Sequence, residues 1–176
     1  LMDTRNMGIA LYDRAKDEIR FDLVVQDGER VPGWEPRPGL AGTGKTNEVI
    51  RTQTPLLLST KEDEDVWYAE EEDRVRYLEP RASYLGVPMI VGDRVLGVID
   101  LYSLEEEFKY DGNDLEVLTS IAGQAAIALD NARLYTETME LRDEVIAKRQ
   151  LATLGTAIAA LQHRINNTFN IIVPNV

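Results

Sequence analysis

The most informative part of the sequence is YLGVPMIVGDRVLGVIDLY, residues 84–102. Its two halves are rich in β-branched and other apolar residues, and Gly92 and Asp93 join them. Glycine at the first central position suits a two-residue type II′ turn, whose twist matches that of the flanking strands. The stretch therefore predicts a β-hairpin with strands at residues 84–91 and 94–102.

A second hairpin is predicted near the start of the chain. GIALYD (residues 8–13) and IRFDLVVQ (residues 19–26) carry alternating or β-branched apolar residues, and a polar turn joins them. Between the two hairpins lie a loop rich in Pro and Gly, a short helix predicted near residues 46–52, and the acidic stretch KEDEDVWYAEEED at residues 61–73. The first hundred residues are therefore expected to be mainly strands and loops.

The rest of the chain has the pattern of a long helix. Asn113 and Glu116 have the spacing of a capping box, and no proline follows until Pro174. Apolar residues recur at steps of three and four in two rows that differ in phase, which predicts a stutter or break around residues 136–149. The rows are Leu115, Leu118, Ala122, Ala125, Leu129 and Ala132, then Leu151, Leu154, Ile158, Leu161 and Ile165.

The predicted length of this helix has a consequence for assembly. About sixty helical residues would span roughly 90 Å, far more than one small domain can cover. The distal part is therefore expected to form a coiled coil, most simply with the same helix of a second subunit.

Composition excludes several classes of function. The 176 residues carry a formal net charge of -12, which argues against a nucleic-acid partner because phosphates need clustered Lys and Arg. There is no cysteine and one histidine, so disulfides, thiolate metal sites and imidazole metal sites are not expected. No stretch reaches the roughly 18 apolar residues of a membrane span. A cytoplasmic segment cut from a longer protein, without membrane contact, fits these features.

The stretch GLAGTGKT, residues 39–46, matches the phosphate-loop pattern G-x-x-x-x-G-K-[ST]. In that motif Lys45 would neutralise phosphates and Thr46 would hold magnesium. The motif must follow a buried strand, however, and here it follows EPRP, where proline cannot donate to a sheet. A glycine-rich loop that leads into a short helix is the preferred interpretation.

Several blocks, taken in order, resemble the GAF family of small-molecule-binding regulatory domains. These are GLAG, VIRTQTPLLLST, YLGVPMIVGDRVLGVIDLYS and DLEVLTSIAGQAAIALDNARLY. The resemblance implies an α+β fold in which a central antiparallel sheet has helices on one face and a ligand pocket on the other. We therefore divide the chain into a GAF-like sensory domain at residues 1–135 with its first helix largely missing, a signalling-helix linker at 136–150, and the start of a dimerisation helix at 151–176.

The resemblance places the roof of the pocket between Pro55 and Tyr84. Aromatic residues with a polar group suit a planar organic ligand, so four residues are candidates for ligand binding: Trp67, Tyr68, Tyr77 and Tyr84. The alternative is that Trp67 and Tyr68 pack this segment onto the domain while its carboxylates face solvent. The absence of Cys excludes a thioether-linked bilin, no axial histidine for haem is present in this domain, and the cyclic-nucleotide signature is missing. The ligand remains unassigned, and neither a cofactor nor a metal is expected within the chain.

The single histidine lies in LQHRINNTFN, residues 161–170. Leu161 and Ile165 belong to the apolar row, so His163 is expected to lie towards the outer side of the helix, where a neutral imidazole can act as a nucleophile. The stretch HRINN resembles the phosphoacceptor box of two-component sensor histidine kinases. The resemblance assigns phosphoacceptor to His163 and the positioning of water or the phosphoryl group to Asn167. Arg164 replaces the commonest acidic residue, which leaves the subfamily open.

The sequence thus predicts the sensory part of a cytoplasmic sensor histidine kinase. A GAF signal would control phosphorylation of His163 by an ATP-binding domain outside this chain, with ATP and magnesium there and a response regulator as partner. The fragment alone is expected to be inactive. The alternatives are a GAF binding module with an inert helical tail, or a dimerisation scaffold whose pocket has collapsed.

Overall fold

The computed structural model describes residues 2–74 and 79–172, without the side chains of residues 153–155 and 157–172. Within these residues the chain forms one antiparallel sheet and three helices, and the strand order is β3-β2-β1-β7-β6-β5, with β4 beside β2. The strands are β1 (Met7–Asp13), β2 (Glu18–Gln26), β3 (Glu29–Val31), β4 (Arg37–Pro38), β5 (Leu56–Leu58), β6 (Ser83–Val91) and β7 (Arg94–Ser103). The helices are α1 (Lys45–Thr52), α2 (Lys61–Ala69) and α3 (Gly112–Ile172).

Both predicted hairpins are confirmed. Strand β1 pairs with β2, and β6 pairs with β7 over their whole length, from Ser83 opposite Ser103 to Val91 opposite Arg94. At the second turn Gly92 has a φ of 62°, while Asp93 is not among the residues with positive φ. This combination agrees with the type II′ turn expected from the sequence.

The sheet has two apolar faces because side chains alternate along each strand. Leu85, Val87, Ile99 and Leu101 are buried on one face, where the beginning of α3 packs against them. On the other face Ala10, Ile19, Val24 and Val98 are buried together with Val49 of α1. The α+β GAF-like architecture predicted from the sequence is confirmed, with α3 on one face and α1 and α2 on the other.

The first apolar row of α3 faces the sheet. Leu118, Ala122 and Ala126 are buried, Leu115, Ala125 and Leu129 are partly buried, and Ala132 is exposed. The predicted capping box was wrong by two positions. Asp111 accepts hydrogen bonds from the N–H groups of Asn113 and Asp114, at 2.8 and 3.1 Å, and Asp114 accepts one from the Asp111 N–H. A carboxylate just before the helix thus caps it, and the spacing of Asn113 and Glu116 was coincidental.

The chain divides into two compact units, Leu1–Asp130 and Asn131–Val176. In the second, residues 131–172 form the distal part of α3, and this helix is continuous across the predicted break at residues 136–149. Large apolar side chains are exposed along this part, and they are Leu134, Tyr135, Leu141, Val145, Ile146 and Leu151. None of the helices in the described part of the chain has the length and apolar character needed to cross a membrane.

Candidate functional site

A cavity lies on the sheet face that α1 and α2 cover. Its volume is about 50 Å³, several times the roughly 10–15 Å³ that one water needs. Both signs of charge line it, because Arg37, Lys45 and Arg81 share the wall with Glu64, Glu79 and Asp100. Phe21, Trp34, Tyr68 and Tyr84 supply aromatic surface. A small polar molecule with an apolar part would match this lining.

A buried ion pair connects the two helices over the cavity. Lys45, the first residue of α1, pairs through Nζ with Oε1 of Glu64 on α2, and the two side chains are only 10% and 1% exposed. The other Glu64 oxygen accepts the Arg81 N–H at 2.5 Å. The Lys45 ammonium also lies over the ring of Tyr84, 4.7 Å from its centroid. Glu64 thus holds α1, α2 and the start of β6 together.

The pKa values of three cavity residues are shifted by burial. Burial lowers the pKa of Lys45 to about 8, and the bond to Glu64 opposes this shift without cancelling it. Burial raises the pKa of Asp100, while Arg81 and Lys45 act in the opposite direction. Burial, followed by the charge of Asp100, raises the pKa of the Tyr84 phenol well above its usual value. Such shifts arise where charged groups are enclosed together, as at binding sites.

The titration of Lys45 provides a direct test of this geometry. We expect an NMR titration of ¹³C-labelled lysines to show one side chain that loses its proton near pH 8, because burial disfavours its charged form. Lys109 serves as an internal control, since its ammonium donates hydrogen bonds to Glu106 and Asp3, which raise its pKa above the ordinary value. The signal that titrates near pH 8 should be absent from the spectrum of Lys45→Arg. If all lysines titrate above pH 10, Lys45 is not enclosed as described.

Asp100 reaches the cavity because of the alternation along β7. Leu101 and Ile99 face α3, so Asp100 between them faces the cavity, where it is 5% exposed. Its carboxylate lies over Gly8 of the neighbouring strand, and a Cβ at position 8 would come within 2.9 Å of an Asp100 oxygen. Glycine at position 8 therefore makes room for this carboxylate.

Arg81 lies at the entrance to β6 and is 6% exposed. Its guanidinium carbon is 3.3 Å from the centroid of the Tyr102 ring, a cation–π contact that restrains the side chain. Its Nη1 is buried and has no hydrogen-bond partner among the described residues. A buried donor without an acceptor is costly, so this nitrogen is a candidate for contact with a ligand.

The GLAGTGKT loop does not have the form of a phosphate loop. Several of its amides already donate within the protein: Asp17 accepts from Leu40 and Ala41, at 2.6 and 3.2 Å, and Asn47 accepts from Gly44 at 3.0 Å. Asn47 also donates to the carbonyl of Gly39, which closes the loop. The lysine that would neutralise a phosphate pairs with Glu64 instead. The glycine-rich loop leading into a short helix is what the structure contains.

The residues predicted to bind a ligand lie in different places. Tyr68 and Tyr84 line the cavity. Trp67 lies behind its wall, 7% exposed, in a cluster with Leu58, Tyr84 and Tyr102. Tyr77 lies outside the described residues, and so do the side chains of His163, Arg164 and Asn167, although the backbone at those three positions is helical. The roles assigned to these residues stay predictions.

Sequence reasoning missed the charged residues of the cavity. Lys45 was considered only as part of the phosphate-loop pattern, and Glu64 was hidden in an acidic stretch whose carboxylates were expected to face solvent. Arg81 follows a proline in a loop, and no sequence pattern marked it as a residue of the cavity. A charge inside the apolar strand VIDLY was the signal that could have revealed Asp100. Among the described residues no group of three or more His, Asp and Glu side chains is arranged to hold a metal ion.

Comparisons with known proteins agree with this architecture. The GAF domain family profile matches residues 2–129. The formate hydrogenlyase transcriptional activator FhlA of Escherichia coli is 30% identical over 145 residues, which cover 82% of this chain and 21% of FhlA. The circadian input-output histidine kinase CikA of Thermosynechococcus vestitus is 31% identical over 91 residues, which cover 49% of this chain and 12% of CikA. The chain thus spans about a fifth or less of these relatives.

A solved structure shows the same fold. The second GAF domain of DevS from Mycobacterium smegmatis superposes with a TM-score of 0.57 at 18% identity, covering 77% of this chain and 86% of that domain.

Proposed function

We propose that this chain, which belongs to the GAF domain family, is the sensory segment of a cytoplasmic sensor histidine kinase. The phosphoacceptor of that kinase would be His163. The observation that carries the proposal is the continuity of α3. This helix begins against the sheet of the GAF domain and runs without a break to Ile172, so it includes the stretch HRINN. A continuous helix of this kind connects the sensory domain with the proposed phosphoacceptor site, and a helix shift is one way in which such a connection transmits a signal.

The relatives support a role in signalling. The chain is homologous to part of the histidine kinase CikA and to part of a transcriptional activator, and a GAF domain is the region they share with it. Within α3, His163 and Asn167 are four positions apart, one helical turn, which is the spacing of a nucleophile and a group that orients water beside it. The proposed kinase domain, with ATP and magnesium, and the response regulator lie outside this chain.

The distal part of α3 supports a homodimer. Leu134, Leu141 and Val145 are 47%, 63% and 48% exposed and follow one another at steps of seven and four residues. That spacing gives an apolar seam of the kind that two helices bury between them. We propose that the occupant is the same helix of a second copy of this chain.

The proposed mechanism is a shift of α3. Ligand binding on one face of the sheet would move α1 or α2, and the sheet would pass the change to the packed start of α3 on its other face. Rotation or translation of the helix pair would then decide whether His163 meets the ATP-binding domain. Only a ligand that binds the two arrangements differently can produce this change.

The experiment uses the full-length protein encoded by the gene that contains this chain. It is incubated with labelled ATP, and wild type is compared with His163→Gln and with the neighbouring control Gln162→Ala. We expect acid-labile, alkali-stable phosphate in wild type and in the control, and complete loss in His163→Gln, because the acceptor nitrogen is removed. In Asn167→Ala the phosphate should form and be lost more slowly. Equal labelling of the His163 variant, or no labelling of any version, would contradict the kinase.

A second candidate is a GAF regulatory module whose helical tail only dimerises. It is favoured by the match to FhlA, a transcriptional activator, which covers more of this chain than the match to CikA. Under this alternative, ligand binding and dimerisation would survive while His163→Gln would have no effect on signalling.

A further inference from the structure

The charges that line the cavity are only partly neutralised within the protein. Lys45 and Glu64 satisfy each other and form its roof. Arg81 and Asp100 do not form such a pair. Nη1 of Arg81 lacks a hydrogen-bond partner among the described residues. Asp100 lines the same cavity, is 5% exposed, and lies near enough to Arg81 and Lys45 for their charges to act on its carboxylate. A buried donor without a partner and a buried carboxylate thus face the same cavity.

The nature of these two groups restricts the ligand. A guanidinium is planar and presents its N–H groups in a rigid fork that matches a carboxylate, and the guanidinium of Arg81 is held 3.3 Å from the centroid of the Tyr102 ring. A carboxylate in the position of Asp100 accepts hydrogen bonds, so it requires a donor such as an ammonium or a hydroxyl. A ligand that carried only an acid would leave Asp100 unsatisfied and repelled, and one that carried only a donor would leave Arg81 unsatisfied.

The size of the cavity restricts the ligand further. A volume of about 50 Å³ admits a molecule of a few heavy atoms, whereas pockets for drug-sized ligands are roughly 300–1,000 Å³. A nucleotide would require α2 to leave the sheet, and the buried pair of Lys45 and Glu64 opposes that movement. The aromatic wall, with Tyr68 and Tyr84, can accommodate a short apolar group.

We propose that the cavity binds a small bifunctional organic acid, whose carboxylate pairs with Arg81 while an adjacent amine or hydroxyl donates a hydrogen bond to Asp100. Small α-amino acids and small 2-hydroxy acids share this chemistry. The inference deepens the proposed function, since it names the class of ligand that the sensory domain would detect. It does not depend on phosphorylation of His163.

The experiment measures binding to the 176-residue chain by thermal shift and isothermal titration calorimetry. The probes are glycine, alanine, glycolate and lactate, together with acetate, propionate, glycinamide and inorganic phosphate. We expect an amino acid or a hydroxy acid to bind at least about tenfold more tightly than acetate and propionate, which lack the donor, and than glycinamide, which lacks the carboxylate. Comparison of glycine and alanine with glycolate and lactate shows whether the ligand group that donates to Asp100 is an amine or a hydroxyl.

Two variants assign the two contacts. In Arg81→Gln the preference for glycine over glycinamide, or the affinity for the hydroxy acid, should fall about tenfold or more, and Arg81→Lys should recover part of it. In Asp100→Ala, which removes the acceptor, the preference for the bifunctional acid over acetate or propionate should disappear. Arg20→Gln is the matched control, since its side chain is 63% exposed and pairs with Asp22 on the surface.

Each outcome of the wild-type measurement bears on the proposal by itself, so variants that fail to fold do not prevent a decision. Equal affinity for acid and amide, or for bifunctional and simple acids, would overturn it. Tighter binding of inorganic phosphate would also overturn it and indicate an unselective anion site. The absence of binding of every probe at millimolar concentration would also overturn the proposal. Binding without phosphorylation of His163 in the full-length protein would contradict the kinase alone, and phosphorylation without binding would contradict only the ligand class.

Discussion

Replacing Lys45 by methionine is expected to lower the free energy of unfolding by about 3–5 kcal/mol, because it removes the ammonium that pairs with the buried Glu64 carboxylate. Glu64 is 1% exposed, so water cannot replace the lost partner. The backbone N–H of Arg81 remains bound to its other oxygen and satisfies only part of the charge. Chemical denaturation monitored by Trp fluorescence measures the loss.

The control for this variant is Lys16→Met. Lys16 pairs with Asp13 at 3.7 Å, and the two side chains are 71% and 46% exposed, so the same substitution there should change stability by less than about 1 kcal/mol. The double variant Lys45→Met/Glu64→Met should regain much of the stability, because no charge remains unpaired. Equal and small losses for Lys45→Met and Lys16→Met would show that the pair is not enclosed between α1 and α2.

Replacing Leu118 by alanine is expected to cost about 3 kcal/mol in the stability of the GAF unit, because the side chain is 2% exposed and its removal leaves a cavity between α3 and the sheet. The matched variant on the same helix is Leu134→Ala. Leu134 is 47% exposed in the single chain, so its removal should change that stability by less than about 0.5 kcal/mol.

The same pair of variants separates packing within a chain from packing between chains. If the distal helix pairs with a second copy, Leu134→Ala should raise the dimer dissociation constant by about tenfold, since the residue is lost from both sides of the seam. Sedimentation equilibrium measures this constant, and Leu118→Ala should leave it nearly unchanged at temperatures where the unit is folded. A wild-type chain that sediments as a monomer, or a dimer that Leu134→Ala leaves intact, would contradict the proposed seam.

Local pattern was sufficient for most of the secondary structure. The two hairpins, the short helix α1 and the first apolar row of α3 follow from alternation, turn chemistry and helical spacing, which act over a few residues. The helix cap was placed at Asn113 instead of Asp111 because several polar residues near residue 111 can cap, and only the hydrogen bonds identify the one that does. The order of blocks along the chain was enough to identify the family resemblance.

The cavity could not be derived in the same way. Lys45, Glu64, Arg81 and Asp100 are separated by 17 to 55 positions along the chain, and they meet because α1 and α2 cover the face of β7 that carries Asp100. An acidic stretch such as residues 61–73 gives no indication of which carboxylate turns inward, since that depends on the rotation of α2 on the sheet.

The sequence by itself determined the class of fold, the strands that pair locally and the long helix, because each depends on the order of neighbouring residues. Only the tertiary structure decided that Lys45 pairs with Glu64, that the N–H groups of Leu40 and Ala41 in the GLAGTGKT loop bind Asp17, and that Arg81 and Asp100 share one small cavity. The physical reason is that burial and charge pairing depend on distances in space between segments remote in the chain. Spacing along the sequence does not specify those distances.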